Sequence, residues 1–371
     1  MACDASGRVA AHGRVGTGTY PVPAAPGGQN RAMSRTHLPR RDLLAAAALS
    51  ALGGQPGPAW AQTSTRAPRT WRVGPGQAIS RIADALKQAA DGDTLEILPG
   101  LYRGDVAAIH QRRLRILGLG EGPVLQADGR DAEGKAIWVV HDGDIEIENI
   151  AFSGCRVADG NGAGIRFQKG RLNLLRCRFS DNQMGLLTGN EASSELHISD
   201  CDFSDAPVNS AGLPHLLYVG RIGHFSLRGS RLARGRVGHL LKCRARESLI
   251  SGNLFDDGLL GEASYEIDLP NGGIARVEHN TLVQSPRTEN PVMLAYGAEG
   301  QAWDLNSLSL QGNTFINHLR SGGWFVRVWA DKLPPETAVR SRQNRFLGPG
   351  GLLLGPQGQS TQDLRGPVPA T

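Results

Sequence analysis

Cysteine is scarce and badly placed for metal work: five in 371 residues, with no C-x-x-C pair and no zinc-ligand spacing to a histidine. A cysteine-built metal domain is excluded. Long apolar runs are missing as well, since the Ala/Leu run from Leu43 to Leu52 is too short to cross a bilayer. The stretch Gly160-Asn-Gly-Ala-Gly164 lacks the Lys-Ser/Thr and the helix that would cradle phosphate, so no nucleotide site is expected there. Excess charge is absent too. The chain has 40 Lys and Arg against 35 Asp and Glu, but residues 1–61 hold six of the arginines and two of the aspartates. The remainder is 34 against 33, close to neutral, and carries no electrostatic footprint for nucleic acid.

Residues 1–61 differ in kind from the rest. Met1–Ala32 is Gly/Ala/Pro-rich without apolar period, and Met33 reads as the true start. Arg40-Arg41 then precedes the Ala/Leu run, which ends near the small-residue site Ala59-Trp60-Ala61. This resembles a twin-arginine export signal. It predicts a disordered extension plus signal peptide over 1–61, a periplasmic or secreted product, and no membrane span once the signal is cleaved. An uncleaved basic membrane anchor is the alternative.

What is present is a repeat. Eight times between Ile147 and Phe346 a short apolar-polar-apolar strand ends in a small or polar residue and, two positions on, a Phe or Leu. Ile150, Cys177, Cys201, Ser230, Asn253, Asn280, Asn313 and Asn344 mark the copies, at steps of 23 to 33 residues. Such units cannot bury an apolar face alone and must stack coil on coil. Period-2 strands with Asn at the bends predict an all-β fold, a single-stranded right-handed parallel β-helix over 71–355. The four asparagines are expected to form a structural ladder at the bends. Cys177 and Cys201 would lie about 5 Å apart, where free stacked thiols are favoured over a disulfide because in-register strands aim both Cβ atoms the same way.

Helix spacing of Ile79, Ile82, Ala83, Leu86 and Ala89 predicts a helix over 77–90 that covers the open N-terminal end. After Gly355 the Gln/Pro/Gly/Ser composition has no period, so 356–371 is expected to be a flexible tail. The cap helix, followed by Asp91-Gly-Asp-Thr94 and Pro99-Gly-Leu-Tyr102, closely resembles the start of the pectin-lyase-like β-helix superfamily. That likeness covers about 71–355.

A second strand column includes His215-Leu-Leu-Tyr-Val219, His239-Leu-Leu-Lys-Cys243, Tyr265-Glu-Ile-Asp-Leu269 and Trp324-Phe-Val-Arg-Val328. Strict alternation turns Arg166, Tyr218, Lys242, Glu266, Asp268 and Arg327 outward, and leaves His215 and His239 inward or at the strand edge. The outward row is the candidate site. The resemblance implies that polysaccharide lies along such a face. In the similar chondroitinase B and alginate lyase group, a Lys on this strand is the base, an Arg one coil on is the acid, and carboxylates bind calcium. Lys242 with Ser248–Asn253 resembles their lysine segment, but one coil later stands Asp268, leaving Arg244 and Arg276 as the cations nearby.

β-Elimination at a uronate needs a neutraliser for the C6 carboxylate, a base for the C5 proton and a donor to the leaving oxygen. Lys242, His239, Arg244 and Tyr218 are the candidate catalytic residues. Arg166, His215, Asn271, Arg276, Arg287 and Arg327 are the candidate substrate contacts, and Glu266 with Asp268 would hold calcium. A cross-strand ion pair between Lys242 and Asp268 on a solvated face explains the same residues without chemistry. The expected partner is an acidic polysaccharide and the expected state a monomer. A non-catalytic carbohydrate-binding or envelope scaffold and a uronate C5-epimerase are the alternatives. The carboxylate constellations of pectin-type hydrolases are missing, and Asp256-Asp257-Gly258 reads as a turn.

Overall fold

The computed structural model describes residues 66–208 and 212–369. The signal-peptide reading of 1–61 therefore lies outside the described residues. From Thr70 onward the chain winds through about ten turns of a parallel β-solenoid, each turn giving one strand to each of three sheets. Sheet A has 12 strands, sheet B 11 and sheet C 10, and every ladder within them is parallel. One turn illustrates the order: Glu247–Ser251 in sheet A, Leu254–Asp256 in sheet B, Ile267–Leu269 in sheet C. The all-β parallel helix predicted from the repeat is the observed fold.

Alternation fills the interior. On sheet B, Phe152, Phe179 and Phe203 stand in register and stack with ring centroids 5.1 and 4.6 Å apart, all within 1 % of full burial. Sheet A supplies Ile145, Leu172, Leu196 and Phe225 from equivalent positions.

Between sheets A and B the chain bends over two residues in nine successive coils. The first of the two is left-handed each time, with φ from 52° at Arg176 to 68° at Gly252. The second carries the ladder. Asn253 N donates to Asn280 Oδ1 (2.9 Å), Asn280 N to Asn313 Oδ1 (2.9 Å), and Asn313 N to Asn344 Oδ1 (2.8 Å). Each Asn Nδ2 also donates to a main-chain carbonyl, as Asn313 does to Val277 O at 2.7 Å. Such buried amides would otherwise be unpaired. The ladder runs back through Ser230, Cys201 and Cys177, whose thiols are free and buried.

Two boundaries differ from the sequence reading. The helix is Ile82–Gln88, shorter than 77–90, because Ile79 is drawn into a parallel bridge with Val73. Its first amides, Ile82 N and Ala83 N, donate to Asp105 of the next coil at 2.7 and 3.0 Å. At the other end, where a flexible tail is expected over 356–371, the described residues 356–369 are not loose: Gly358–Thr361 and Leu364–Gly366 add strands to sheets A and B. The open edge of the preceding coil supplies their hydrogen-bond partners, and Asp363 extends the ladder by accepting from Asn344 N at 2.8 Å.

Candidate functional site

The outer face of sheet C carries one row through Arg166, Leu187, Tyr218, Lys242, Asp268, Ala295 and Arg327, each in register with the next. Lys242 sits at its centre. Its Nζ lies 3.3 Å from Asp268 Oδ2 and 2.7 Å from Glu299 Oε1. Glu299 places its other oxygen 2.7 Å from Arg244 Nη2, so a single carboxylate bridges the two cations. Arg244 Nε also donates to the Tyr218 hydroxyl at 3.0 Å, and its Nη1 to Asn271 Oδ1 at 2.8 Å.

His215 and His239 belong to this outer face rather than the interior. Their rings are 4.7 Å apart, His215 lies against Tyr218, and His239 Nε2 is 3.4 Å from Asp268 Oδ2. Alternation misplaces them because the chain turns a corner before each sheet C strand, so position 239 faces the same way as 242. His215 Nδ1 accepts from His239 N at 2.9 Å, which leaves its Nε2 to carry the proton. Burial, with Lys242 and Arg244 nearby, depresses His215 to about 3, and burial holds His239 well below the ordinary histidine value. Both rings are neutral near pH 7.

The same corner reverses Glu266. It stands in register with Leu240 and Met293, both in the core, and is 1 % exposed. Neither carboxylate oxygen has a hydrogen-bond partner beyond the residue's own amide, and burial pushes the group well above the ordinary range. Glu266 and Asp268 therefore face opposite sides of the strand and cannot share a calcium ion. Asp268 is already engaged by Lys242.

Lys242 has the wrong poise for a base. Burial alone would depress its ammonium, but Asp268 and Glu299 outweigh burial and hold it above the ordinary lysine value. Burial raises Asp268 to about 6 despite the cation. Glu299 is resisted by burial yet kept below the ordinary range by Lys242 and Arg244.

The remaining candidates divide. Arg166 and Arg327 share the outer row, and the Nε of each is buried without a partner; Arg327 also stacks on Trp329 at 4.5 Å. Asn271 is buried and spent on Arg244 and on Gly300 O (2.7 Å), so it positions the arginine rather than meeting a ligand. Arg287 is exposed on the loop leading to strand Val292–Tyr296. Arg276 is on another face altogether: it lies on sheet A, opposite Leu249 and Ser309.

Three contributors were not singled out from sequence. Glu299 arrives on the turn after strand Val292–Tyr296; Trp303 Nε1 donates to Arg244 O at 3.0 Å; Arg221 covers the Trp303 ring at 4.1 Å. Together they fold the 297–303 loop back over the Arg244 end of the site.

Two depressions lie elsewhere. One of about 410 Å³ on sheet A is lined by His197, His224, Glu247 and Arg276, and one of about 420 Å³ by Arg234, Asp257 and Leu260. The first holds half-exposed polar groups paired with one another, such as His224 and Glu247 at 3.2 Å. The Lys242 cluster instead couples cations, carboxylates, neutral imidazoles and a phenol in a half-buried place, which is where proton chemistry is shifted from its solution values. Comparison with family models and with characterised proteins finds no match to this chain.

Proposed function

We propose that the chain is a pectin-lyase-like β-helix protein that binds an acidic polysaccharide along the outer face of sheet C and cleaves it by β-elimination. One observation carries this reading: a carboxylate, that of Glu299, is seated between Lys242 and Arg244 beside the Tyr218 hydroxyl. A uronate C6 carboxylate has the same charge and the same bidentate geometry. Arg166 and Arg327 extend the cationic row to either side.

In this reading Lys242 and Arg244 neutralise the carboxylate and so acidify the C5 proton. Tyr218, which accepts from Arg244 and keeps its own proton to give, serves the leaving oxygen. A neutral imidazole, that of His239, takes the C5 proton, since both ring nitrogens of His215 are already committed. The C5–H and C4–O bonds break, a C4–C5 double bond forms, and the freed oxygen is protonated. Lys242 is thus an electrostatic residue rather than the base.

A non-catalytic carbohydrate-binding scaffold is the second reading, favoured by the internal neutralisation of Lys242 by Asp268 and Glu299. An absorbance screen for unsaturated uronates across alginate, pectate, heparinoid and chondroitin substrates, with and without calcium, separates the two. The expected result is turnover of at least one substrate, reduced about 100-fold or more in Arg244→Met and Tyr218→Phe. Binding without turnover in every case leaves the scaffold. Absence of both binding and turnover removes both readings.

A further inference from the structure

A different cluster stands on the first coils. His110 follows strand Ala107–Ile109 and His141 follows strand Ala136–Val140; Ile109 and Val140 are in register, so the two imidazoles are adjacent. Their rings stack with centroids 4.4 Å apart and planes 20° apart, aiming both rings the same way. Glu133 reaches the pair from the loop before the second strand. That loop is closed by a bridge between Ala132 and Ala136, and Glu133 itself is left-handed at φ 58°.

Glu133 divides its two oxygens. Oε2 meets Lys135 Nζ at 3.2 Å, and Oε1 lies 2.7 Å from His141 Nε2. One donor atom from each of His110, Glu133 and His141 falls within 4.8 Å of the other two. A four-coordinate zinc ion with bonds of about 2.0–2.2 Å brings its ligands to within roughly 3.5 Å of each other, so sub-ångström to one-ångström side-chain shifts suffice. All three residues are exposed or half-exposed, which leaves an approach from solvent.

We infer that His110, Glu133 and His141 form a binding site for a divalent d-block cation of the zinc class. Two imidazole nitrogens and one carboxylate oxygen suit that class and not magnesium, which prefers oxygen ligands. The ion replaces the proton shared by His141 and Glu133. Lys135 remains on the other oxygen and orients the carboxylate, as outer partners of metal ligands do. Three protein ligands leave the fourth position to water or to an anionic group from solution. The site lies four sheet C strands before Leu241–Cys243, about 19 Å along the stack, and is independent of the Lys242 cluster.

Titration of the untagged chain with zinc at pH 7.5 tests this, read by calorimetry and, with cobalt substituted, by its visible absorption bands. The expected result is one equivalent bound with imidazole-type bands, and about tenfold or greater weakening in each of His110→Ala, His141→Ala and Glu133→Gln. His224→Ala, on sheet A, should bind like the parent. Circular dichroism melting of the metal-free variants distinguishes loss of ligand from loss of fold, since these exposed side chains should leave it unchanged. No binding by the parent, or binding unchanged in His110→Ala, overturns the inference, as does equal competition by magnesium.

Discussion

The corner between sheets A and B and the corner between sheets B and C are made by the same chain under opposite constraints. The first is two residues in nine coils, with a left-handed residue and then a ladder side chain. The second runs from residues 181–183 in one coil to 205–216 in the next. A connection with no slack must be built from local hydrogen bonds and repeats itself. A connection with slack can differ in every coil, and there the chain tolerates a buried Glu266, a raised Asp257 and the histidines that face Asp268. Rigidity is concentrated at one corner and buried titratable groups gather beside the other, as expected when a scaffold positions variable loops.

Removing a rung tests the rigid corner and should give the largest effect. Asn313 Oδ1 accepts from Asn280 N at 2.9 Å and from Asn280 Nδ2 at 3.0 Å. Asn313→Ala strands both donors where water does not reach, and each costs about 1–3 kcal/mol. A loss of about 3–5 kcal/mol in urea unfolding is expected. A loss below about 1 kcal/mol would show that water or a backbone shift replaces the rung.

At the variable corner the expected change has the opposite sign. Glu266 is neutral in the folded chain and ionises near 4.3 when unfolded, so the folded state binds more protons above that pH. Its contribution is intact below the unfolded pKa and is lost as pH rises toward the folded one. Asp257 and Asp268, each raised to about 6, add the same trend between roughly pH 4 and 6. Glu266→Met should therefore stabilise the protein, by an amount that grows about 1.4 kcal/mol per pH unit across this window. Met suits the place, since Met293 occupies it one coil later. Equal gains at pH 5 and pH 8 would mean that the carboxyl is solvated or paired.

The corners also differ in how far they could be read from sequence. The A-to-B corner was legible because its constraint is local and repeated: the ladder residues recur at coil spacing, and the strands before them alternate. The outer row of sheet C was legible from period 2, which placed Arg166, Tyr218, Lys242, Asp268 and Arg327 on one face. Period 2 failed one residue earlier, at the corner. The repeat still carried the signal there, because Glu266 aligns with Gly164, Gly185, Leu216 and Leu240. A Cβ added to Gly164 or Gly185 would lie 2.7 or 2.8 Å from a core phenylalanine, so that position points inward. Glu299 had no such signal. It reaches back 57 residues to Lys242 from a loop whose path is set by the Arg221–Trp303 stack and the Asn271 bond to Gly300, none of them periodic.

The smallest expected change concerns the pair that links the two interpretations of Lys242. An exposed ion pair is worth about 0–1 kcal/mol, but Asp268 is 2 % exposed, and removing Lys242 leaves its carboxyl buried beside His239 without a cation on it. Lys242→Met cannot keep Asp268 ionised in that place, so the folded variant takes up a proton that the unfolded chain, ionising near 3.9, does not hold. The variant's folded pKa for Asp268 then lies above the parent's value of about 6, and stability falls with rising pH over a window that extends further upward. Parent and variant should differ little at pH 5, where Asp268 is largely protonated in both, and by about 1–3 kcal/mol at pH 8. Urea unfolding at the two pH values reads the gap. Identical stability at both would place Lys242 in a solvated surface pair and Asp268 in contact with water, and the cationic seat beside Glu299 would lose the half-buried setting on which its proposed grip on a carboxylate depends.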